Sequence, residues 1–137
     1  TDDAIRDCFR VMAELRPHLE EAGFVARIRE QMQGGYRLAC VRLGEEVACV
    51  AGYRITLNLA LGKHLYVDDL VTRESFRSRG CGGRMMAWLR DEALAEGCGA
   101  LTLDSGVQRH RAHRFYLVQG MDIVCHHFLQ NLAGSSR

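Results

Sequence analysis

The chain has 137 residues, of which 47% are hydrophobic and 26% charged, with a formal net charge of +1. That length suits one domain (1–137) with a real core. The near-zero charge gives no overall electrostatic case for nucleic acid or an anionic membrane. No apolar run approaches the roughly 18 residues of a membrane span. No basic and apolar leader opens the sequence, which starts without methionine.

Six cysteines (Cys8, Cys40, Cys49, Cys81, Cys98, Cys125) show no CxxC pair and no zinc-like spacing. They read as reduced thiols of a cytoplasmic protein, with no metal. Of the 18 lysines and arginines, only Lys63 is a lysine. Arginine suits bidentate phosphate contacts, although codon bias gives the same excess.

In chain order, Ile5, Phe9, Met12 and Leu15 recur at helical spacing after Thr1-Asp2-Asp3, which are cap candidates. A second helical pattern, FVARIREQM, ends at Gly34-Gly35. YRLACVRL, a turn at Gly44 and VACVAGYRITLNLAL predict a hairpin, and HLYVDDLVT predicts a further strand. A glycine loop leads into a helix from about Gly82 to Glu96, closed by Gly97. Met85, Met86, Trp88 and Leu89 read as its core face. ALTLDS is a strand, RHRAHRFYLVQG a helix, and MDIVCHHFLQNL a last strand. The tail from Ala133 to Arg137 is expected to fray. Alternation in the second half implies α/β organisation, with helices packed on a mixed sheet.

The loop Arg77-Ser78-Arg79-Gly80-Cys81-Gly82-Gly83-Arg84 is the most informative stretch. It lacks the lysine and hydroxyl of a phosphate-binding GxxxxGK[ST] loop. A dinucleotide GxGxxG would need glycine at Met85. The pattern [Arg/Gln]-x-x-Gly-x-[Gly/Ala] fits in full. Residues 79–83 would turn at a helix N-terminus with bare N–H groups facing a diphosphate. Arg77, Arg79 and Arg84 would add permanent cations. A plain glycine turn with solvated arginines stays open on this pattern alone.

With a strand before it and a helix after it, this loop resembles the signature of the GNAT superfamily of acetyl-CoA-dependent N-acetyltransferases. LTLDS is like that fold's fifth strand. Residues 112–121, AHRFYLVQGM, are similar to its A-x-x-F-Y-x-x-x-G-F. The likeness runs from about Val47 to Phe128. It implies a mostly antiparallel central sheet, with splayed fourth and fifth strands flanked by helices. The family's N-terminal edge strand either lies upstream or is missing. The linker from Val71 to Arg77 is one residue longer than is common, and Arg109 stands where asparagine is frequent. Arg109 could hold a CoA phosphate instead.

The resemblance implies direct attack of an amine on the thioester, and it suggests a residue for each task. Asp68 and Asp69 are the only carboxylates on the strand that reaches the acyl end. Strand alternation sends them to opposite faces, so only one can face the amine. Similar acidic pairs in polyamine and amino-sugar-phosphate acetyltransferases favour Asp68 as base, or as the contact for a substrate ammonium. A backbone N–H in Asp69-Leu70-Val71 would receive the oxyanion. Tyr116 matches the tyrosine that protonates or hydrogen-bonds the leaving thiolate.

Other signals count for less. Cys81 as an acyl carrier would face the diphosphate, far from the thioester. His110 and His113 are crowded by Arg109, Arg111 and Arg114, which disfavours a metal. His126 or His127 would point to the acceptor if the last strand borders it. The expected function is acetyl transfer from acetyl-CoA to a primary amine of a small cationic metabolite. The alternatives are a protein N-terminal or lysine acetyltransferase, and a non-catalytic acyl-CoA sensor. The family also allows a homodimer, although nothing in the sequence specifies an interface.

Overall fold

The computed structural model describes residues 1–133, in two compact units, Thr1–Leu103 and a C-terminal unit beginning at Asp104. In the first unit, α1 (Asp2–Asp7) is capped by the Thr1 hydroxyl, which accepts the Ala4 N–H at 3.1 Å. Asp2 and Asp3 sit in its first turn, where the helix dipole favours negative charge. After Cys8 the chain resumes as α2 (Phe9–Leu15), so the single predicted helix is two nearly continuous pieces. Pro17 ends it: the residue before a proline is excluded from helical geometry, and Arg16 adopts φ −122°, ψ 74°. α3 (Glu21–Gln33) stops at Gly34-Gly35, where Gly35 takes φ +97°.

The sheet has four strands in the order β1-β2-β3-β4: β1 (Arg37–Leu43), β2 (Glu46–Asn58), β3 (Gly62–Thr72) and β4 (Ala100–Leu103). The first two pairings are antiparallel and β3–β4 is parallel. A parallel pair needs a crossover, and α4 (Cys81–Ala95) supplies it. This is the expected mixed sheet flanked by helices. The family's fourth and fifth strands correspond here to β3 and β4.

β2 is buried from Val47 to Tyr53, which explains its unbroken apolar run. One face of the sheet joins α1–α3 in a cluster of Ile5, Val11, Met12, Phe24, Ile28, Tyr36, Val50 and Val71. Full burial of a side chain such as Phe24 contributes about 1.5–3 kcal/mol. On the α4 side, Tyr53 donates its hydroxyl to Glu92 at 2.6 Å and meets the Trp88 ring edge-on. Met85, Met86 and Leu89 are buried as expected, whereas Trp88 remains 44% exposed.

The C-terminal unit contains α5 (His110–Val118). It closes with Gly120 at φ +88°, whose N–H reaches the Leu117 carbonyl while the Met121 N–H reaches that of Tyr116. The predicted last strand is absent. Residues 121–132 form no strand, and Ile123, Val124, Phe128, Leu129 and Leu132 are exposed. Strand-forming side chains alone do not make a strand; a ladder partner is required, and none pairs with this segment among the described residues. Of the tail expected to fray, Ala133 to Arg137, all but Ala133 lies outside the described residues.

Candidate active site

The β2–β3 ladder slips by one residue in the middle of β3. Val67 faces Tyr53 and Asp69 faces Gly52, so Asp68 is the extra residue of a β-bulge. Bulges break alternation and re-aim side chains. The expectation that Asp68 and Asp69 point to opposite faces therefore fails, because both carboxylates meet one cluster from α2, α3 and β2. Parallel pairing with β4 ends at Val67–Leu103, while β3 continues to Thr72. β4 itself ends there, so Asp69, Leu70 and Val71 have no β4 partner.

Arg16, at the end of α2, donates Nε to Asp69 Oδ1 at 2.9 Å and Nη2 to the Asp68 carbonyl at 3.1 Å. Tyr36 donates its hydroxyl to Asp69 Oδ2 at 2.9 Å. Burial, reinforced by the Asp69 charge, pushes the Tyr36 phenol well above its usual range, so it stays a donor. Arg54 donates Nε to Asp68 Oδ2 at 2.9 Å and Nη1 to the Gly34 carbonyl at 3.1 Å. Its Nη2 donates to Gln31, and its guanidinium lies 5.5 Å from the Tyr36 ring centroid.

The second oxygen of Asp68, Oδ1, is buried and accepts no hydrogen bond from the described residues. Burial raises the Asp68 pKa above its ordinary 3.8, against the opposing pull of Arg54. Asp68 thus presents an open lone pair on a carboxylate held in place through its other oxygen. That is what a proton acceptor needs.

Arg16, Tyr36, Gln31 and Arg54 were not singled out from the sequence. Gly52 carried a usable signal, since glycine inside a strand marks close approach. A Cβ there would run into the Tyr36 ring and hydroxyl. Pro17, which ends α2 at Arg16, carried another.

At the glycine loop, Gly80 caps α4 with φ +76°. The helix starts one residue earlier than predicted. Arg84 N–H is bonded to the Gly80 carbonyl at 3.0 Å, and by helix geometry the N–H groups ahead of it are open donors. Ser78, at φ +68°, turns the chain into this cap. Arg77, Arg79 and Arg84 are exposed, with Arg79 over the Phe76 ring. The Cys81 side chain is buried, so only its backbone belongs to the loop. These residues fit a diphosphate: open N–H donors, a helix N-terminus and exposed cations.

In the C-terminal unit, Arg109 is the N-cap residue of α5, and His113 Nε2 lies 2.7 Å from the Gly106 carbonyl. Tyr116 is half-buried and packs edge-on against Phe115. His126 is exposed on the non-strand segment, and His127 Nδ1 lies 3.5 Å from Asp104. The argument that a strand aims one of them at the acceptor does not hold. Among the described residues, no cluster of three His, Cys, Asp or Glu side chains could hold a metal, and no helix is long and apolar enough to cross a membrane.

The Acetyltransferase (GNAT) family model matches residues 3–121, running through both units. The chain belongs to this family. It is 32% identical over 111 residues to the uncharacterized N-acetyltransferase YhdJ of Bacillus subtilis, covering 80% of this chain and 78% of that protein. It is also 32% identical over 92 residues to the aminoalkylphosphonate N-acetyltransferase of Salmonella typhimurium, covering 62% of this chain and 54% of that enzyme. In fold it resembles the aminoglycoside N-acetyltransferase AAC(6')-Iy solved in complex with CoA, with a TM-score of 0.85 at 12% identity over 96% of this chain and 90% of that one. As a member of this GNAT family with named N-acetyltransferase relatives, the chain is an acyltransferase enzyme.

Proposed function

We propose that this GNAT enzyme transfers the acetyl group of acetyl-CoA to the primary amine of a small metabolite, by direct attack and within one acetyltransferase domain. The observation that carries the reading is the Oδ1 of Asp68, unpartnered among the described residues, on a bulge just past the end of the β3–β4 ladder. A lysine-like amine at pH 7 lies about 3.4 pKa units from deprotonation, roughly 4–5 kcal/mol. A positioned base returns about 10²–10⁴-fold. Asp68 takes the amine proton on Oδ1 while Arg54 fixes Oδ2.

A backbone N–H in Asp69-Leu70-Val71 receives the developing oxyanion. Residues 79–83 bind the diphosphate, with Arg77, Arg79 and Arg84 around it. Tyr116 donates to the leaving thiolate, a role supported by its place in the F-Y-x-x-x-G pattern. Arg109 binds a CoA phosphate. Six free cysteines suit a reducing, cytoplasmic setting.

The ion pairs refine the acceptor. Each aspartate carries its own arginine, so the cluster is close to neutral rather than a sink for a polycation. An amine that also bears an anionic group fits better than a bare cation, and the likeness to an aminoalkylphosphonate N-acetyltransferase points the same way. Protein N-termini and lysines remain the second class of acceptor.

The test is to mix acetyl-CoA with a panel of amines, among them aminoalkylphosphonates, polyamines and peptides, and to follow free thiol. Turnover with a small amine is expected. Tight CoA binding without thiol release from any amine would establish the sensor reading instead.

A further inference from the structure

Two arginines hold the aspartate pair, and they are bonded differently. Arg54 engages all three nitrogens: Nε with Asp68 Oδ2, Nη1 with the Gly34 carbonyl and Nη2 with Gln31. Arg16 engages one edge only. Its Nε and Nη2, which lie on the same side of the planar fork, donate to Asp69 Oδ1 at 2.9 Å and to the Asp68 carbonyl at 3.1 Å. The end-on edge, Nη1 with the second hydrogen of Nη2, makes no bond among the described residues, and the side chain is 42% exposed.

That open edge sits on a fixed residue. The Arg16 N–H reaches the Met12 carbonyl at 2.9 Å, the Arg16 carbonyl accepts the Leu19 N–H at 3.1 Å, and Pro17 follows. Backbone and side chain are thus both tied down without a ligand, so little rotamer freedom remains to be lost on binding. Two parallel N–H groups on such a guanidinium match two oxygens of a carboxylate or phosphonate.

Resting on the acetyl-transfer reading, in which Asp68 accepts the amine proton, we propose that Arg16 is a specificity-determining residue that binds an oxyanion on the acceptor. The acceptor class is then a short amino acid or aminophosphonate, with its amine at Asp68 and its anion on the end-on edge of Arg16. The spacer is short because the same guanidinium grips the backbone of the residue that carries the base. Charge balance favours the same class. Arg16 with Asp69 and Arg54 with Asp68 are neutral as a set. Proton transfer to Asp68 leaves one positive charge in excess, which the acceptor's own anion offsets. A diamine would instead bring a second cation to Arg16.

On the full chain, kcat/KM is measured by thiol release with short amines of differing charge: β-alanine and 2-aminoethylphosphonate against β-alaninamide and ethylenediamine. The anionic pair should be preferred by about 10- to 100-fold, as charge-assisted hydrogen bonds typically contribute. Ethylphosphonate, which has the anion but no amine, should compete with the anionic acceptors. Arg16→Gln should abolish both the preference and the competition while leaving turnover of β-alaninamide nearly unchanged. Arg16→Lys, which keeps a cation against Asp69 should the glutamine variant fail to fold, should retain only part of the preference, because an ammonium lacks the fork. An equal fall for all four amines in the variants would make Arg16 a structural partner of Asp69 alone. Wild-type turnover indifferent to the anion would overturn the inference and leave acetyl transfer standing. Absence of thiol release with every amine, peptides and polyamines included, would overturn the acetyl-transfer reading as well.

Discussion

Arg16 and Asp69 meet at 2.9 Å, joining the last residue before Pro17 to the strand that carries the proposed base. The same guanidinium holds the Asp68 carbonyl, so Asp69 orients its neighbour through a shared partner. The two aspartates thus have different work despite being adjacent. Asp68→Asn should lower turnover by about 10²–10⁴ with little change in melting temperature. Asp69→Asn should destabilise the fold by about 1 kcal/mol, since Arg16 is partly exposed. Thiol release at saturating amine and a thermal melt separate the two. Equal loss of turnover without destabilisation in Asp69→Asn would reassign the base.

The raised pKa of Asp68 has a signed consequence. On raising the pH, the unfolded carboxyl loses its proton near 3.8 and the folded one later. Between these values the folded state binds more protons, so the stability from this group falls as pH rises through the window and stays lower above it. The pH profile of kcat/KM should lose activity on the acid side, with a midpoint above 3.8. Asp68→Asn should remove that limb. A limb that survives the substitution belongs to another group.

Gly52 lies beneath the Tyr36 ring, where a Cβ would collide. Gly52→Ala should cost about 1–3 kcal/mol by overpacking, measured by urea unfolding. Tyr36→Phe should not rescue it, because the ring itself is in the way. Tyr36→Ala should make the second substitution nearly neutral.

At the proposed phosphate loop, Gly80→Ala places a side chain at φ +76°, a strain of about 1–2 kcal/mol at the cap of α4. Arg79→Ala removes one exposed cation. Calorimetry should show weaker CoA binding for both, and for Arg79→Ala a raised KM with kcat nearly unchanged. CoA affinity unaltered by either change would place the diphosphate elsewhere.

Tyr116→Phe should lower turnover more than it lowers CoA affinity, since the proposed role of the hydroxyl is toward the leaving thiolate. Comparable losses in kcat and in Kd would make Tyr116 a binding residue instead.

Much of the first unit was legible because its signals are local. Thr1 as a cap, Gly34-Gly35 and Gly97 as stops, and Gly80 in the phosphate loop all act within one or two turns of helix. The arginine partners were not legible. Arg16 and Arg54 reach Asp69 and Asp68 from 53 and 14 residues away, and no period in the sequence encodes such pairings. The bulge was missed for a related reason: register is a property of two strands, and HLYVDDLVT alone reads as unbroken alternation. The last segment failed in the opposite direction, since residues 121–132 carry strand-forming side chains such as Ile123, Val124 and Phe128 without a neighbour to pair with among the described residues.

Arg54 spans from Gln31 and Gly34 at the close of α3 to the carboxylate of Asp68. The end of α3 is in this way wired to the proposed base itself. Divergence toward new amines cannot proceed there one residue at a time without also shifting basicity at β3. Relatives that change Gln31 while keeping Asp68 are therefore expected to carry a compensating change at Arg54.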